Sequence, residues 1–138
     1  RYALLEAESK GADLPILRNK DGFISESTGA CIFLVKNGVI ITPSLDSDIL
    51  ESITRDTLIK IFLKNDYEIE ERHVSEKDLT ESDEIFLCGT SAEITPIKYV
   101  ETKDFKIGDL TKFISEEYQQ AVRAKNYVNY NWTTKFEI

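Results

Sequence analysis

The sequence predicts a mixed α+β domain in which the strands are grouped rather than alternating regularly with helices. Three observations predict this class. A short helical segment opens the chain, a series of brief β-like runs follows it, and longer helical patterns return only in the middle and near the end. The 138 residues are 41% hydrophobic, which is enough to bury a core. We therefore expect residues 1–138 to form a single domain.

The first part of the chain predicts one helix followed by an antiparallel meander. Helical periodicity runs from Tyr2 to Lys10, and Gly11 is a typical stop signal. The β-like runs that follow cover residues 15–18, 23–26, 31–35 and 39–42. Asn37-Gly38, which separates the last two runs, is the strongest hairpin signal in the chain.

The middle of the chain predicts a buried helix and a half-exposed strand. The helix begins near Ser52 and ends near Asn65. Its apolar residues at helical spacing are Leu58, Ile61 and Phe62. In residues 67–74 the apolar positions Tyr67 and Ile69 lie two apart, as in a strand with one buried face. Ser75-Glu76-Lys77-Asp78 resembles a capping box that opens a further helical turn.

The last part predicts a strand, a small-residue loop and an amphipathic helix. The apolar strand 84–88 runs directly into Gly89-Thr90-Ser91-Ala92. Asp109 can cap a final helix. We expect one face of that helix to carry Leu110, Phe113, Ile114, Ala121 and Val122. An aromatic tail follows, with Tyr127, Tyr130, Trp132 and Phe136.

Composition excludes several classes of function. The formal net charge of −8 argues against nucleic acid as a partner, because binding to the phosphate backbone relies on clustered Lys and Arg. No apolar run approaches the roughly 20 residues of a membrane span. Cys31 and Cys88 lack metal-ligand spacing and His73 is the single histidine, so no metal site is expected. The cysteines are interpreted as buried, reduced thiols of a cytoplasmic protein.

Two segments have features that suit an anion. The residues Ser52-Ile53-Thr54 lie at a predicted helix start, where free backbone amides and the positive end of the helix dipole favour a phosphate. The Gly89–Ala92 loop offers small and hydroxyl residues. Either signal alone is more often a simple cap or turn. Likewise Glu26, at the end of a short strand, is by itself an ordinary exposed carboxylate.

Together these segments carry a resemblance to a known family. The runs Gly22–Phe33, Leu50–Asp56 and Cys88–Pro96 resemble the motifs of class IV (fold type IV) enzymes that use pyridoxal 5'-phosphate (PLP), in the same order and at compatible separations. Within the family, the Ile-Thr-Arg-Asp and Glu-Ile-Thr-Pro runs are most similar to branched-chain amino-acid aminotransferases. The resemblance implies the C-terminal, larger domain of such an enzyme, a mixed β-sheet or pseudo-barrel with flanking helices.

The resemblance also implies roles for individual residues. Glu26 matches the glutamate that pairs with the pyridine nitrogen of PLP, and Leu50 matches the leucine that packs on the ring. Ile53 and Thr54 match the helix-start residues that hold the phosphate. Thr90 matches a second phosphate-binding threonine. The backbone amides of Thr90 and Ser91 correspond to donors that meet the substrate carboxylate.

Some positions depart from the family pattern. Ser27 and Ser52 stand where the family commonly has glycine, and we expect both to add bulk near the cofactor. Ala30 and Cys31 replace a typical Glu-Asn pair. The glycine-proline loop before the last helix is shortened to Ile107-Gly108-Asp109. These differences leave the substrate open.

No catalytic residue is expected within the chain itself. The family places its Schiff-base lysine upstream of the segment matching Tyr2–Gly11, hence before Arg1, and Lys10 is interpreted as an exposed helix residue. The resemblance likewise implies that the family's N-terminal domain lies outside this chain. The parent protein is expected to transfer the amino group of leucine, isoleucine or valine to 2-oxoglutarate, as a homodimer. A D-amino-acid aminotransferase, an aminodeoxychorismate lyase and an inactive fragment that serves only as a binding domain are the alternatives.

Overall fold

A five-stranded sheet organises the structure, a computed structural model that describes residues 2–123. The strand order is β5-β4-β3-β6-β7, in which β4 and β5 are parallel and the other neighbours antiparallel. The strands are β1 (Ile16–Arg18), β2 (Ile24–Ser27), β3 (Cys31–Lys36), β4 (Val39–Pro43), β5 (Ile69–Arg72), β6 (Glu84–Gly89), β7 (Glu93–Pro96), β8 (Tyr99–Val100) and β9 (Lys103–Asp104). The helices are α1 (Tyr2–Ser9), α2 (Ile53–Lys64), α3 (Glu76–Glu81) and α4 (Asp109–Val122).

The central strands are buried on both faces, which explains their continuous apolar sequences. One face of the sheet packs against α2 and α4, and its core includes Phe33, Phe62 and Phe86. The Phe33 and Phe86 rings stack with centroids 5.2 Å apart. The opposite core contains Ile32, Leu34, Ile85 and Leu87 from the alternate positions of β3 and β6. The α+β prediction is confirmed.

Local sequence signals set the turn and the helix starts where they were expected. Asn37 and Gly38 both adopt positive φ, 50° and 79°, in the β3–β4 hairpin. Ser52 caps α2 by accepting a hydrogen bond from the Arg55 amide. Ser75 opens α3 with a complete capping box. Gly11, with φ 76°, follows the end of α1.

The meander was only partly correct. Strands β1 and β2 form a separate two-stranded sheet, whereas β3 and β4 belong to the central sheet. The strand next to β4 is β5, reached through α2 as a parallel crossover. Sequence periodicity identifies strands, but it does not specify which strands pair.

The start of α4 differs from the expectation. Gly108 is the N-cap, and Asp109 is already the first helical residue. The Glu84 carboxylate accepts hydrogen bonds from the Thr111 amide, at 2.9 Å, and from the Thr111 hydroxyl, at 2.8 Å. A Cβ at Gly108 would overlap this carboxylate. Thus a side chain from β6 satisfies the free amide at the start of the helix.

The rest of α4 follows its pattern with one exception. Ile114 and Ala121 are buried, and Leu110 and Phe113 pack partly against the same core, but Val122 is 46% exposed. The aromatic tail Tyr127–Phe136 lies outside the described residues. Within residues 2–123, no helix is long and apolar enough to cross a membrane.

Candidate functional site

A cavity of about 300 Å³ opens at the end of the central sheet where β3 begins and β6 ends. Its wall comprises Glu26, residues 29–31, residues 50–53 and residues 88–90. The three segments singled out from the sequence therefore meet at one place. Ligand cavities are typically about 300–1,000 Å³, so this space suits a small ligand.

Two hydrogen bonds attach β2, which carries Glu26, to the loop before α2. The Leu50 amide donates to Glu26 Oε2 at 3.1 Å. The hydroxyl of buried Ser25 donates to the Asp48 carbonyl at 3.0 Å, and Asp48 has a positive φ of 59°. Since one carboxylate oxygen of Glu26 accepts from Leu50, the other is available to a donor in the cavity.

The start of α2 forms a second side of the cavity. The first amides of a helix have no partner within the helix, and here Ser52 Oγ satisfies the Arg55 amide at 3.2 Å. The amides of Ile53 and Thr54 precede it and remain as donors for an anion. Ile53 lines the cavity with its side chain 88% exposed. Thr54 is buried and does not contribute to the wall.

A buried arginine fixes this helix end to the sheet. Arg55 is only 5% exposed. Its Nη2 donates to the Pro43 carbonyl at 3.0 Å and to Glu71 Oε1 at 2.8 Å. Among the described residues, its Nε has no hydrogen-bond partner. Arg55 thus links the start of α2, which lines the cavity, to the ends of β4 and β5.

A close backbone approach requires the glycine at the end of β6. A Cβ added to Gly89 would lie 2.8 Å from the Gly29 carbonyl oxygen, which is closer than van der Waals contact permits. Thr90 follows Gly89 and lines the cavity, in the turn between β6 and β7. Ser91 is exposed in the same turn and lies outside the cavity wall.

Two cysteine side chains lie in the cavity wall and interact with each other. Cys31 on β3 is directly opposite Cys88 on β6. The hydrogen bond from the Cys88 side chain is the largest influence on the Cys31 thiol and lowers its pKa; burial and the Glu26 charge oppose it, while Ser52 and Arg55 reinforce it. The same hydrogen bond, followed by burial, raises the pKa of Cys88.

The serines that depart from the family pattern serve the fold. Ser27 is buried, donates from Oγ to the Pro15 carbonyl at 2.8 Å, and lies outside the cavity wall. The expectation that it adds bulk beside a cofactor is therefore wrong. Ser52 does line the cavity, and its side chain caps α2. Lys10 is exposed and contacts Glu6, as expected of a surface helix residue.

The structure brings Glu26, Leu50, Ile53 and Thr90 together in the cavity wall, whereas Thr54 and Ser91 lie outside that wall.

The sequence analysis did not identify three residues that line or support the cavity. Cys31 and Cys88 become cavity residues only through β3–β6 pairing, for which the sequence carries no direct signal. The sequence did carry a signal that Arg55 is buried, because it lies three and seven residues before Leu58 and Phe62, on the same face of α2.

Side-chain clusters in residues 2–123 give no metal site: no group of three or more His, Cys, Asp or Glu residues is arranged to hold an ion there. The polar groups considered at the cavity are instead the tethered Glu26 carboxylate, which accepts hydrogen bonds, and the amides of a helix start and the Thr90 hydroxyl, which can donate them. This set suits a ligand with a cationic group at one end and an anionic group at the other.

Comparison with known proteins identifies similar chains over almost the whole length. The family model for amino-transferase class IV matches residues 1–100. The "probable branched-chain-amino-acid aminotransferase" of Aquifex aeolicus is 40% identical over 136 residues, covering 96% of this chain and 44% of that protein. The branched-chain-amino-acid aminotransferase of Pseudomonas aeruginosa is 32% identical, with coverage of 96% and 44%.

Solved structures give the same result. The branched-chain aminotransferase of Thermoproteus uzoniensis, crystallised with norvaline, superposes with a TM-score of 0.92 at 37% identity and covers 96% of this chain and 45% of that one. The enzyme of Thermobaculum terrenum in its PLP form superposes with a TM-score of 0.91 at 40% identity, with coverage of 96% and 44%. The chain therefore spans less than half the length of these relatives.

Proposed function

Since the chain belongs to the class IV aminotransferase family, we propose that its cavity holds PLP and is part of a branched-chain amino-acid aminotransferase. The parent protein would move the amino group of leucine, isoleucine or valine to 2-oxoglutarate. One observation carries the proposal: a tethered carboxylate and a free helix start face the same cavity of about 300 Å³. The similar proteins named as branched-chain aminotransferases support the choice of substrate.

Glu26 is proposed to hold a proton on the pyridine nitrogen of the cofactor. When bound, PLP supplies a conjugated ring that accepts electrons from the α-carbon of the amino acid. A carboxylate beside the ring nitrogen keeps that nitrogen protonated, which strengthens the electron-accepting character of the ring. Leu50 assists in two ways: its amide orients the Glu26 carboxylate, and its side chain, 73% exposed, offers an apolar surface for the ring.

The start of α2 is proposed to bind the phosphate. The amides of Ile53 and Thr54 and the positive end of the helix dipole attract an anion without any basic side chain. The Thr90 hydroxyl, on the facing side of the cavity, can donate a further hydrogen bond. This arrangement fits a chain with net charge −8, because the local donors are backbone groups and hydroxyls rather than Lys or Arg.

The Thr90–Ser91 turn is proposed to receive the substrate carboxylate. Both residues lie in the turn that joins β6 to β7, and Thr90 reaches the cavity. Backbone amides in a tight turn can converge on an anion.

The remaining parts of the reaction are assigned to the rest of the parent protein. We propose that the Schiff-base lysine and an N-terminal domain precede Arg1, and that the 138-residue chain alone carries out no transamination. Leu50 and Ile53 beside the cavity mouth are 73% and 88% exposed, which suits surfaces that another domain or a second subunit covers. A homodimer and a cytoplasmic location belong to the same proposal, and the two free thiols suit that compartment.

Half-reactions of the intact parent protein test this proposal. PLP absorbance is followed as leucine, D-alanine or aminodeoxychorismate is added, with the isolated 138-residue chain as the matched control. We expect leucine alone to change the spectrum of the intact protein, and the isolated chain to give no turnover. A response confined to D-alanine or aminodeoxychorismate would assign one of the alternative activities, and no response to any of the three would indicate a binding domain without catalysis.

A further inference from the structure

The two cysteines of the chain lie face to face across the β3–β6 ladder. Cys31 and Cys88 are register partners at the cavity end of these strands. Residues directly opposite in antiparallel strands have Cα atoms about 4.5–5.5 Å apart. Disulfide-bonded cysteines have Cα atoms about 4.4–6.8 Å apart. The backbone therefore already has the separation that a disulfide needs.

The cavity gives small solutes a route to Cys31, whose partner across the ladder is Cys88. Cys31 retains 5% of its surface exposed and Cys88 none, so a solute in the cavity meets Cys31 first. Both residues line the wall of the 300 Å³ cavity, beside Glu26 and Ser52. A reagent that reaches the Cys31 thiol from the cavity therefore finds Cys88 next to it.

The surroundings give the two thiols different reactivity. The hydrogen bond from Cys88 lowers the pKa of Cys31, with Ser52 and Arg55 reinforcing that direction and Glu26 opposing it. The hydrogen bond to Cys31 raises the pKa of Cys88. Thiolates rather than thiols are nucleophilic. Cys31 keeps some exposure to the cavity whereas Cys88 has none, so Cys31 is suited to attack first and Cys88 to respond second.

We propose that Cys31 and Cys88 are an oxidative modification site, at which hydrogen peroxide converts the pair to an intramolecular disulfide. The Cys31 thiolate attacks one peroxide oxygen, the O–O bond breaks, and the departing hydroxide takes a proton to become water. Cys88 then attacks the Cys31 sulfur, the S–O bond breaks, and the Cys88 proton leaves with the oxygen as a second water. The thiols lose two electrons and the peroxide gains them.

This inference needs the strand register and an open cavity, and it does not need transamination. Bound PLP, which is proposed to occupy the same cavity, would shield Cys31 from peroxide. The sequence analysis interpreted both cysteines as buried, reduced thiols. Their spatial pairing, which the sequence does not reveal, changes that interpretation. Reversible disulfides of this kind are also compatible with a reducing compartment, where disulfides are transient and redox-sensing.

Peptide mass spectrometry on the intact protein that contains this chain tests the site. The reduced protein is treated with hydrogen peroxide in its PLP-free form, alkylated with iodoacetamide and digested. We expect a cross-linked peptide pair that joins Cys31 to Cys88, lacks the two thiol hydrogens, and separates on treatment with dithiothreitol. The alkylated forms of both cysteines should decline together.

Two conservative variants test the order of attack. In Cys88→Ser, Cys31 should become a sulfenic acid that dimedone traps, whereas in Cys31→Ser, Cys88 should stay alkylatable and untrapped at the same peroxide dose. Circular dichroism of both variants checks that the fold is retained. Two free thiols after treatment, a disulfide to another chain, or oxidation of Cys88 in Cys31→Ser would overturn the proposal.

Discussion

Replacing Glu26 with glutamine separates the charge of this residue from its structural role. The glutamine side chain keeps a carbonyl oxygen that can accept the Leu50 amide, as Glu26 Oε2 does at 3.1 Å. The loop between β2 and α2 should therefore hold its position in Glu26→Gln. What the substitution removes is the negative charge proposed to face the protonated pyridine nitrogen.

The size of the effect follows from the kind of hydrogen bond that is lost. A hydrogen bond to a charged group contributes about 1.5–3 kcal/mol. Each 1.4 kcal/mol is a factor of about ten in affinity. Because Glu26 is only half-buried, water screens part of the interaction. We expect PLP to bind about 10- to 100-fold more weakly to Glu26→Gln than to the wild type.

Absorbance titration of the intact protein with PLP measures this change. Glu51→Gln is the matched control, because Glu51 lines the same cavity and also loses one negative charge. That charge lies next to the proposed phosphate site, so its loss should leave the affinity unchanged or raise it slightly. Equal weakening in both variants, or unchanged affinity in Glu26→Gln, would refute the assignment of Glu26 to the pyridine nitrogen.

Three further predictions concern the frame around the cavity. Gly89→Ala should lower the free energy of unfolding by about 1–3 kcal/mol in a denaturant titration, because the new Cβ would lie 2.8 Å from the Gly29 carbonyl oxygen. The control Ser91→Ala, in the exposed turn, should change the free energy of unfolding by less than about 0.5 kcal/mol. Glu84→Ala should cost about 1–2 kcal/mol by removing Oε1, the oxygen that accepts both hydrogen bonds from Thr111. Glu84→Gln should be less affected, and equal stability of the two variants would contradict this. Hydrogen bonding from Arg72 holds the pKa of Asp78 well below its usual range. The Asp78 carboxylate therefore stabilises the fold fully above its unfolded pKa of about 3.9, and this stabilisation is lost as the pH falls towards the folded pKa. The free energy of unfolding should fall less between pH 6 and pH 3 in Asp78→Asn than in the wild type, and an equal or larger fall would contradict the argument.

Local chemistry explains which elements the sequence could predict. Asn37-Gly38 specifies a hairpin because both residues tolerate positive φ. Ser52 and Ser75 specify helix starts because their hydroxyls accept amides three residues later. Each of these interactions spans only a few residues along the chain. Sequence pattern is therefore sufficient to place them.

Contacts between distant residues explain what the sequence could not predict. Glu84, rather than Asp109, accepts the amide near the start of α4, although 27 residues separate Glu84 from Thr111. Cys31 meets Cys88 only because β3 pairs with β6 rather than with β2. In the same way, Arg55 reaches Glu71 through the parallel crossover. Composition and periodicity carry no information about these partners.

The cavity residues were predicted from the order of their motifs along the chain, not from any sign that they lie close together in space. Glu26, Ile53 and Thr90 are individually ordinary residues, and only a match to the order of known motifs suggested that they act together. The fold places all three on one cavity wall. It also places Thr54 behind that wall, where its backbone amide, rather than its side chain, is the group proposed to meet a ligand.

A crystal structure of the intact parent protein with PLP tests the central claim most directly. We predict that the pyridine nitrogen lies within about 3 Å of a Glu26 carboxylate oxygen. We also predict that the phosphate accepts the amides of Ile53 and Thr54 and the hydroxyl of Thr90. A cofactor bound outside this cavity, or one whose phosphate lies away from the start of α2, would contradict the account.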